Sequence, residues 1–230
     1  ADRWRGFVDT RPAGCTAVGV DVELGGALEA FGLPERASRL ALPPTMREVV
    51  RAAADDDGAA AARSVLLPHG EPYRLWNLDV FKYREDTPVG LYGSLPFLLG
   101  VGRGSSSGVL LLSAADTHVD LWSSERGLGS HWLSEAGALE LMLFGGPTAA
   151  QLHKQLASAT GRAPMPPLWA MGYHSSHWNL RNQEQVAALD VNFDRHGAPL
   201  DVAWLDIEHT HGKRYFTWDE EAFPAPEALH

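Results

Sequence analysis

The hydrophobic pattern of this chain changes its period once, near residue 147. From Cys15 to about Phe144, short apolar stretches rich in β-branched and aromatic residues are separated by Gly, Ser and Pro. Such a series is typical of short antiparallel strands and predicts a β-sandwich. Beyond Pro147, segments with helical spacing alternate with two candidate strands, LWAMGYH (168–174) and PLDVAWLDI (199–207). The order helix, strand, helix and strand predicts the beginning of a parallel α/β fold.

This change of period also predicts the domain boundaries. Residues 1–160 are expected to form the sandwich domain, closed by an amphipathic helix that follows Pro147-Thr148 and ends at Gly161. APMPP, residues 163–167, cannot continue that helix. Residues 164–230 are expected to form the α/β part, which is much shorter than the roughly 250 residues of a closed (β/α)8 barrel. Either the barrel is incomplete or this part is something smaller.

One segment of the sandwich breaks the strand pattern. The stretch near 46–63 contains RAAADDDGAAAA. Its alanines could form a helical turn, but three aspartates beside a glycine are more typical of an exposed loop. The sequence therefore predicts a flexible insertion there.

Composition limits the classes of partner. The net charge is −10, which speaks against nucleic acid, because phosphate binding requires a basic surface. No apolar run approaches the ~18 residues of a transmembrane helix, so membrane insertion is not expected. The first residues have no signal-peptide pattern. Cys15 is the only cysteine, and no basic cluster nearby favours a reactive thiolate, so an inert thiol is expected.

The segment DVAWLDIEHTH, residues 201–211, carries the candidate chemistry. An apolar run ends at Leu205 and is followed by Asp206, Ile207 and Glu208. In a parallel α/β fold the segments after the strands line the site. If the strand continued, Asp206 and Glu208 would share one face. Paired carboxylates can act as acid and base or as nucleophile and acid. Neighbours on one face, however, are poorly placed to act from opposite sides of the bond that is broken. We therefore expect Asp206 to hold a ligand through hydrogen bonds and Glu208 to have a structural role.

Histidines offer an alternative. His174, His177, His209 and His211 lie near the ends of two predicted strands. His209 and His211 have the alternate spacing with which strand histidines hold zinc, so a metal-dependent hydrolase is the rival hypothesis. No HExxH or CxxC motif accompanies them, and the preferred prediction is that no metal and no other cofactor is needed.

Longer segments resemble a known family. WLDIEHTHGKRYFTWDEEAFPAPEAL, residues 204–229, resembles the second barrel strand region of glycoside hydrolase family 31, most closely its neutral α-glucosidases of the glucosidase II type. MPPLWAMGYHSSHWN (165–179) resembles the first barrel strand. FGLPER (31–36), PYRLWNLDVFKYREDTPVGLYGSLPFLL (72–99) and SEAGALELMLFGGPT (134–148) resemble the preceding sandwich.

The resemblance implies a galactose-mutarotase-like N-terminal β-sandwich followed by the first βα units of an incomplete (β/α)8 TIM barrel. It implies an α-glucosidase that hydrolyses terminal α-linked glucose with retention, in carbohydrate metabolism or N-glycan glucose trimming. Asp206 matches the aspartate that holds glucose, Ile207 its apolar neighbour, and Asp86 lies near a loop that reaches the pocket in some members. The implied partners are an α-glucoside or glucosylated oligosaccharide and a regulatory β subunit. The implied compartment is the endoplasmic-reticulum lumen, with cytoplasm and lysosome as alternatives.

The family's nucleophile lies in a WxDMNEP-like motif, and no such motif occurs in these residues. The acid/base carboxylate lies further along the family's barrel. Both are therefore expected beyond His230, and the chain is expected to be an inactive N-terminal fragment of the enzyme. A non-catalytic carbohydrate-binding module is a further alternative.

Overall fold

The structure is a computed structural model that describes residues 3–4, 7–8, 16–54 and 60–229, with side chains described for residues 16–50 and 64–229. The chain divides into two compact units, Ala1–Arg162 and Ala163–His230. Cys15 lies outside the described residues, so its predicted inertness stays a prediction.

The described part of the first unit consists of β-strands and one helix at its end. The strands are β1 (Arg3–Trp4), β2 (Phe7–Val8), β3 (Val18–Gly25), β4 (Ala27–Gly32), β5 (Met46–Ala54), β6 (Ala60–Pro68), β7 (Tyr73–Leu75), β8 (Phe97–Gly102), β9 (Ser105–Leu111), β10 (Thr117–Ser124), β11 (Gly127–Ser134) and β12 (Leu141–Gly146), and the helix is α1 (Ala149–Thr160).

Two four-stranded antiparallel sheets form the sandwich. Their strand orders are β3-β11-β10-β7 and β12-β9-β8-β4. One apolar core contains residues of both sheets, including the fully buried Trp132 of the first and Leu98 and Val109 of the second. In β10, Val119 and Leu121 point into this core, while His118 and Asp120, which alternate with them, are only half-buried. This period-2 alternation is the signal that predicted strands here, and the predicted sandwich is confirmed.

Helix α1 covers the outer face of the second sheet. Thr148 accepts a hydrogen bond from the Gln151 backbone N–H at 3.3 Å and caps the helix, which satisfies one of the free N–H groups of the first turn. Leu152 is completely buried against Phe97 and Leu99. The predicted helix, from Pro147-Thr148 to Gly161, is confirmed.

Strands β5 and β6 form a long antiparallel pair. β5 and β6 pair antiparallel from Met46 opposite Pro68 to Ala54 opposite Ala60. The alanine-rich stretch thus lies in paired strands, and the suggested helical turn is wrong for the described residues. Contacts between cross-strand neighbours such as Val49 and Val65 stabilise the pair of strands. The sequence of one strand alone does not reveal these contacts. Residues 55–59 of the predicted insertion lie outside the described residues.

The second unit contains a short parallel βαβ segment. Its elements are β13 (His174–Ser176), α2 (Gln183–Arg195) and β14 (Val202–Trp204), with 3-10 helices at Leu168–Met171, Ile207–His209, His211–Lys213 and Pro226–Leu229. β13 and β14 pair in parallel, which confirms the predicted strand–helix–strand order. Leu180, Val186 and Phe223 form the buried core of this unit.

Both strands are shorter than their apolar runs suggested. The run from Leu168 was predicted to be a strand, but Leu168–Met171 is a 3-10 helix and β13 begins only at His174. No helix in the described part of the chain is long and apolar enough to cross a membrane.

Candidate functional site

The carboxyl ends of β13 and β14 lie side by side. In the parallel register, Ser176 is opposite Trp204, so the segments that follow the two strands leave the sheet at the same edge. Residues 177–179 come from the first strand and residues 205–209 from the second. This edge is where parallel α/β folds place their ligand-binding groups.

Asp206 is the central carboxylate of this edge. Its Oδ1 accepts a hydrogen bond from the Ile207 backbone N–H at 2.6 Å and a second from the indole N–H of Trp178 at 3.1 Å. The first bond makes Asp206 the N-cap of the 3-10 helix Ile207–His209. Two donors on one oxygen fix the orientation of the carboxylate, and Oδ2 accepts no hydrogen bond from the described residues. Asp206 as a whole is half-buried.

Asp206 and Glu208 do not lie on a strand. β14 ends at Trp204, and both residues lie at or within a 3-10 turn. The prediction that they share a strand face is therefore wrong. The cause is local: the Asp206 side chain bonds the next backbone N–H, which competes with strand pairing. Sequence periodicity does not register this competition.

Glu208 binds the turn that follows β13. Its Oε1 accepts a hydrogen bond from the Asn179 backbone N–H at 3.3 Å. Its Oε2 is buried and has no hydrogen-bond donor among the described residues. The structural role expected of Glu208 agrees with this geometry.

Ile207 follows Asp206 directly and starts the 3-10 turn. Its carbonyl oxygen accepts hydrogen bonds from the Thr210 backbone N–H at 3.1 Å and from the Thr210 hydroxyl at 2.7 Å. Thr210 is buried. The backbone that follows Asp206 is therefore held in place, and the half-buried Ile207 lies next to the carboxylate.

The four histidines do not form one cluster. His174 Nδ1 accepts from the Trp204 indole at 3.0 Å, and its Nε2 donates to the Ala170 carbonyl at 3.2 Å. His209 donates from Nδ1 to the Asp206 carbonyl at 2.5 Å. No three His, Cys, Asp or Glu side chains of the described ranges come together as a metal-ligand set. The expectation that the four could converge is wrong for the described residues, because His174 is bonded to Trp204 of the neighbouring strand and His209 is bonded within its own turn.

Aromatic side chains line a depression near His209. The depression, of about 510 Å³, is lined by His209, Tyr215, Phe216, Thr217 and Trp218. The His209 and Trp218 rings lie 5.0 Å apart between centroids. Trp178, Tyr215 and Phe216 were not singled out by the sequence as site residues. For Tyr215 and Phe216 the available signal was the polar and aromatic mixture in KRYFTWD, residues 213–219.

Asp86, the third predicted site residue, belongs to the first unit. It lies in the loop between β7 and β8 with φ +55°, and its exposed carboxylate is 3.7 Å from Arg39. It lines depressions of about 490 Å³ and about 210 Å³ on this unit. Its backbone N–H donates to the Ala37 carbonyl at 2.7 Å. The structure therefore places Asp206 and Ile207 together and Asp86 in a separate unit.

The loop that carries Asp86 is anchored by Arg36. The guanidinium donates to the backbone carbonyls of Leu33 at 2.6 Å, of Pro88 and of Arg74 at 3.4 Å. It also lies 5.0 Å from the centre of the Tyr73 ring. Burial lowers the pKa of Arg36 to about 10 and raises the pKa of Tyr73 to about 12.

A β-sandwich followed along the chain by a parallel βα segment does not by itself define a function. Comparison with family models does identify a family. Residues 1–120 match the glycosyl hydrolase 31 N-terminal galactose mutarotase-like domain, and residues 163–230 match the glycosyl hydrolases family 31 TIM-barrel domain. The chain belongs to glycosyl hydrolase family 31.

Curated relatives are longer than this chain. It is 41% identical over 242 residues to a probable glucan 1,3-alpha-glucosidase of Arabidopsis thaliana, which covers 99% of the chain and 24% of that relative. Identity to a rice protein of the same name (Oryza sativa subsp. japonica) is 44% over 238 residues, with the same two coverages. Neutral alpha-glucosidase AB of Mus musculus is 40% identical over 237 residues, with 95% of the chain and 23% of the relative covered. The chain spans about a quarter of these relatives.

Solved structures show the same fold. The crystal structure of the ER glucosidase II heterodimeric complex, which contains the catalytic subunit and the binding domain of the regulatory subunit, matches with a TM-score of 0.81 and 35% identity. The match covers 97% of this chain and 24% of that one. An alpha3-Glc2-bound glucosidase II alpha subunit matches with a TM-score of 0.80, 35% identity and the same coverages. The predicted sandwich followed by the start of a TIM barrel is confirmed.

Proposed function

We propose that the whole protein containing these residues is an α-glucosidase that releases terminal α-linked glucose with retention, and that Asp206 holds the glucose. The observation that supports this most directly is the fixed carboxylate at the carboxyl end of β14, with one oxygen bonded twice by the protein and one left for a ligand. The names of the relatives, which include glucan 1,3-alpha-glucosidases, favour an α-1,3 linkage.

The contribution of Asp206 is orientation. A carboxylate oxygen accepts hydrogen bonds from sugar hydroxyl groups, and a bond to a charged group contributes about 1.5–3 kcal/mol. Because Trp178 and Ile207 already fix the carboxylate, little side-chain freedom is lost on binding. Retention requires two carboxyl groups about 5–5.5 Å apart across the scissile bond. No WxDMNEP-like motif occurs in these 230 residues, so the bond-breaking pair is proposed to come from other parts of the protein.

The test compares two carboxylate variants in the whole protein. Asp206→Asn keeps the size but replaces an anionic oxygen with an amide. Asp190→Asn is the matched control, because Asp190 is exposed on α2 and makes no side-chain hydrogen bond within the described residues. With nigerose as substrate, Asp206→Asn should lower kcat/KM by roughly 10- to 150-fold. Equal activity of the two variants would refute the role of Asp206.

The isolated 230-residue chain provides a second test. We predict no turnover of p-nitrophenyl α-glucoside, because binding without the two carboxyl groups leaves the bond intact. Measurable turnover that persists after further purification would show that the bond-breaking groups lie within these residues.

Asp86 is proposed as a further sugar contact, since its exposed carboxylate borders two depressions. Similarity to the ER glucosidase II complex supports a regulatory subunit as partner, N-glycan glucose trimming as the process and the endoplasmic-reticulum lumen as the compartment. Localisation of the tagged whole protein with a lumenal marker tests the compartment, and a cytoplasmic or lysosomal signal would refute it.

A further inference from the structure

Trp178 is held at the candidate site by few contacts of its own. Its side chain is 57% exposed, so packing alone does not fix the ring. Its indole N–H nevertheless meets Asp206 Oδ1 at 3.1 Å. A single hydrogen bond to an exposed indole is easier to keep when the backbone that carries the ring is already ordered, because less conformational entropy is then lost on forming the bond.

The residue after Trp178 has an unusual backbone. Asn179 has φ +87°, in the left-handed region, where a residue with a Cβ atom costs about 1 kcal/mol or more. Such a conformation persists when surrounding contacts impose it. One such contact is the hydrogen bond from the Asn179 N–H to Glu208 Oε1, at 3.3 Å. A second joins the Arg181 guanidinium to Asn179 Oδ1 at 3.2 Å, but it stays within the same turn.

Glu208 is poorly placed to act on a ligand itself. Oε1 is engaged by Asn179, and Oε2 is shielded from solvent, with no donor among the described residues. A carboxyl group that transfers a proton must come within hydrogen-bond reach of the reacting atom. The two carboxylates of this turn thus differ in access, since Asp206 has an oxygen free for a ligand and Glu208 does not.

We propose that Glu208 is a positioning residue for the sugar-holding carboxylate. It fixes the left-handed turn at Asn179, this turn holds Trp178, and the Trp178 indole orients Asp206. Two hydrogen bonds thus join the turn after β13 to the turn after β14. The bonded residues are 28 and 29 positions apart in sequence. The inference rests on the proposed function only in taking Asp206 as the ligand-holding group.

The experiment uses the indole N–H as a direct reporter. The chain has eight tryptophans, so the ¹H–¹⁵N spectrum of the 230-residue chain shows few indole signals, and Trp178→Phe assigns the one of interest. In the wild type, the Trp178 indole proton should be protected from solvent exchange, and Asp206→Leu should abolish that protection. Glu208→Ala should lower the protection at least tenfold while the other seven indole signals stay in place.

Glu208→Gln is the matched variant. Its amide oxygen can still accept from Asn179, and its NH₂ replaces an oxygen that accepts no hydrogen bond from the described residues, so protection should remain within about threefold of the wild type. A purely structural role would predict general loss of signals, with no separation between Ala and Gln. If Glu208→Ala fails to fold, Glu208→Asp, which is one methylene too short to reach Asn179, serves in its place.

The inference is refuted if the Trp178 indole keeps its protection in a folded Glu208→Ala or Glu208→Asp chain. This outcome is distinct from failure of the proposed function, which is read from kcat/KM of Asp206→Asn in the whole protein. If Asp206→Asn lost activity while Glu208→Ala left the protection of Trp178 unchanged, the positioning role of Glu208 would be rejected and the role of Asp206 would be retained.

Discussion

Replacement of Arg36 by methionine should destabilise the sandwich unit by about 2–4 kcal/mol. Methionine keeps much of the aliphatic volume but removes the donors that meet the carbonyls of Leu33 and Pro88. Hydrogen bonds from a charged donor contribute about 1.5–3 kcal/mol each. Part of that gain is already offset by the cost of burying the charge, which is the reason that the pKa of Arg36 is lowered to about 10. The net loss is therefore smaller than the sum of the two bonds.

The measurements are urea unfolding and thermal unfolding, each followed by the circular dichroism signal of the strands. A loss of about 2–4 kcal/mol corresponds to a decrease in Tm of roughly 5–15 °C for a unit of this size. Arg39→Met is the control, because Arg39 has a 76% exposed side chain 3.7 Å from a 62% exposed Asp86 carboxylate, and exposed pairs contribute about 0–1 kcal/mol. If Arg36→Met were no less stable than Arg39→Met, the carbonyl contacts of Arg36 would not contribute to stability.

Two further variants test the hydroxyl group of Tyr73 and the apolar core of the second unit. Tyr73→Phe removes the hydrogen bond to the Pro43 carbonyl at 2.7 Å and should lower the free energy of unfolding by about 1 kcal/mol near neutral pH. The pKa of Tyr73 is raised from 10.0 to about 12 in the folded state, so the wild type loses stability as the pH rises through that window. The difference in stability between the wild type and the variant should therefore become smaller at high pH. If urea unfolding gave the same difference in stability at several pH values from about 8 to about 12, this reasoning would be contradicted. Phe223→Ala, at a residue only 1% exposed, should destabilise the second unit by about 3–5 kcal/mol, seen as faster hydrogen exchange in residues 163–229 with the sandwich unaffected; equal acceleration in both units would refute this.

The same structure shows where local patterns were sufficient. Val119 and Leu121 alternate with polar residues, and this signal depends only on which side chains a strand can bury. Helices α1 and α2 could be predicted because their apolar residues recur at helical spacing, and in the structure Thr148 and Asn182 cap them within one turn. Segments 204–229 and 165–179 likewise carry enough consecutive residues to indicate the family.

Local sequence patterns did not predict the structure where a segment depends on a partner distant in sequence, or where a side chain competes for a backbone hydrogen bond. The alanine-rich strands β5 and β6 are stabilised by one another, so neither is evident alone. The strand predicted through Asp206 ends early because the Asp206 side chain captures the next N–H group. Periodicity describes which face is buried, and it contains no information on such side-chain competition.

Residue order thus established the strand series, the two capped helices, the family and Asp206 as a candidate, since each depends on neighbours along the chain. The folded arrangement alone decided that Trp178 donates to Asp206, that Glu208 holds Asn179, and that the histidines stay apart. These contacts join residues 28 or 29 positions apart, and they exist because β13 and β14 pair in parallel at one register. A shift of that register would bring different side chains together.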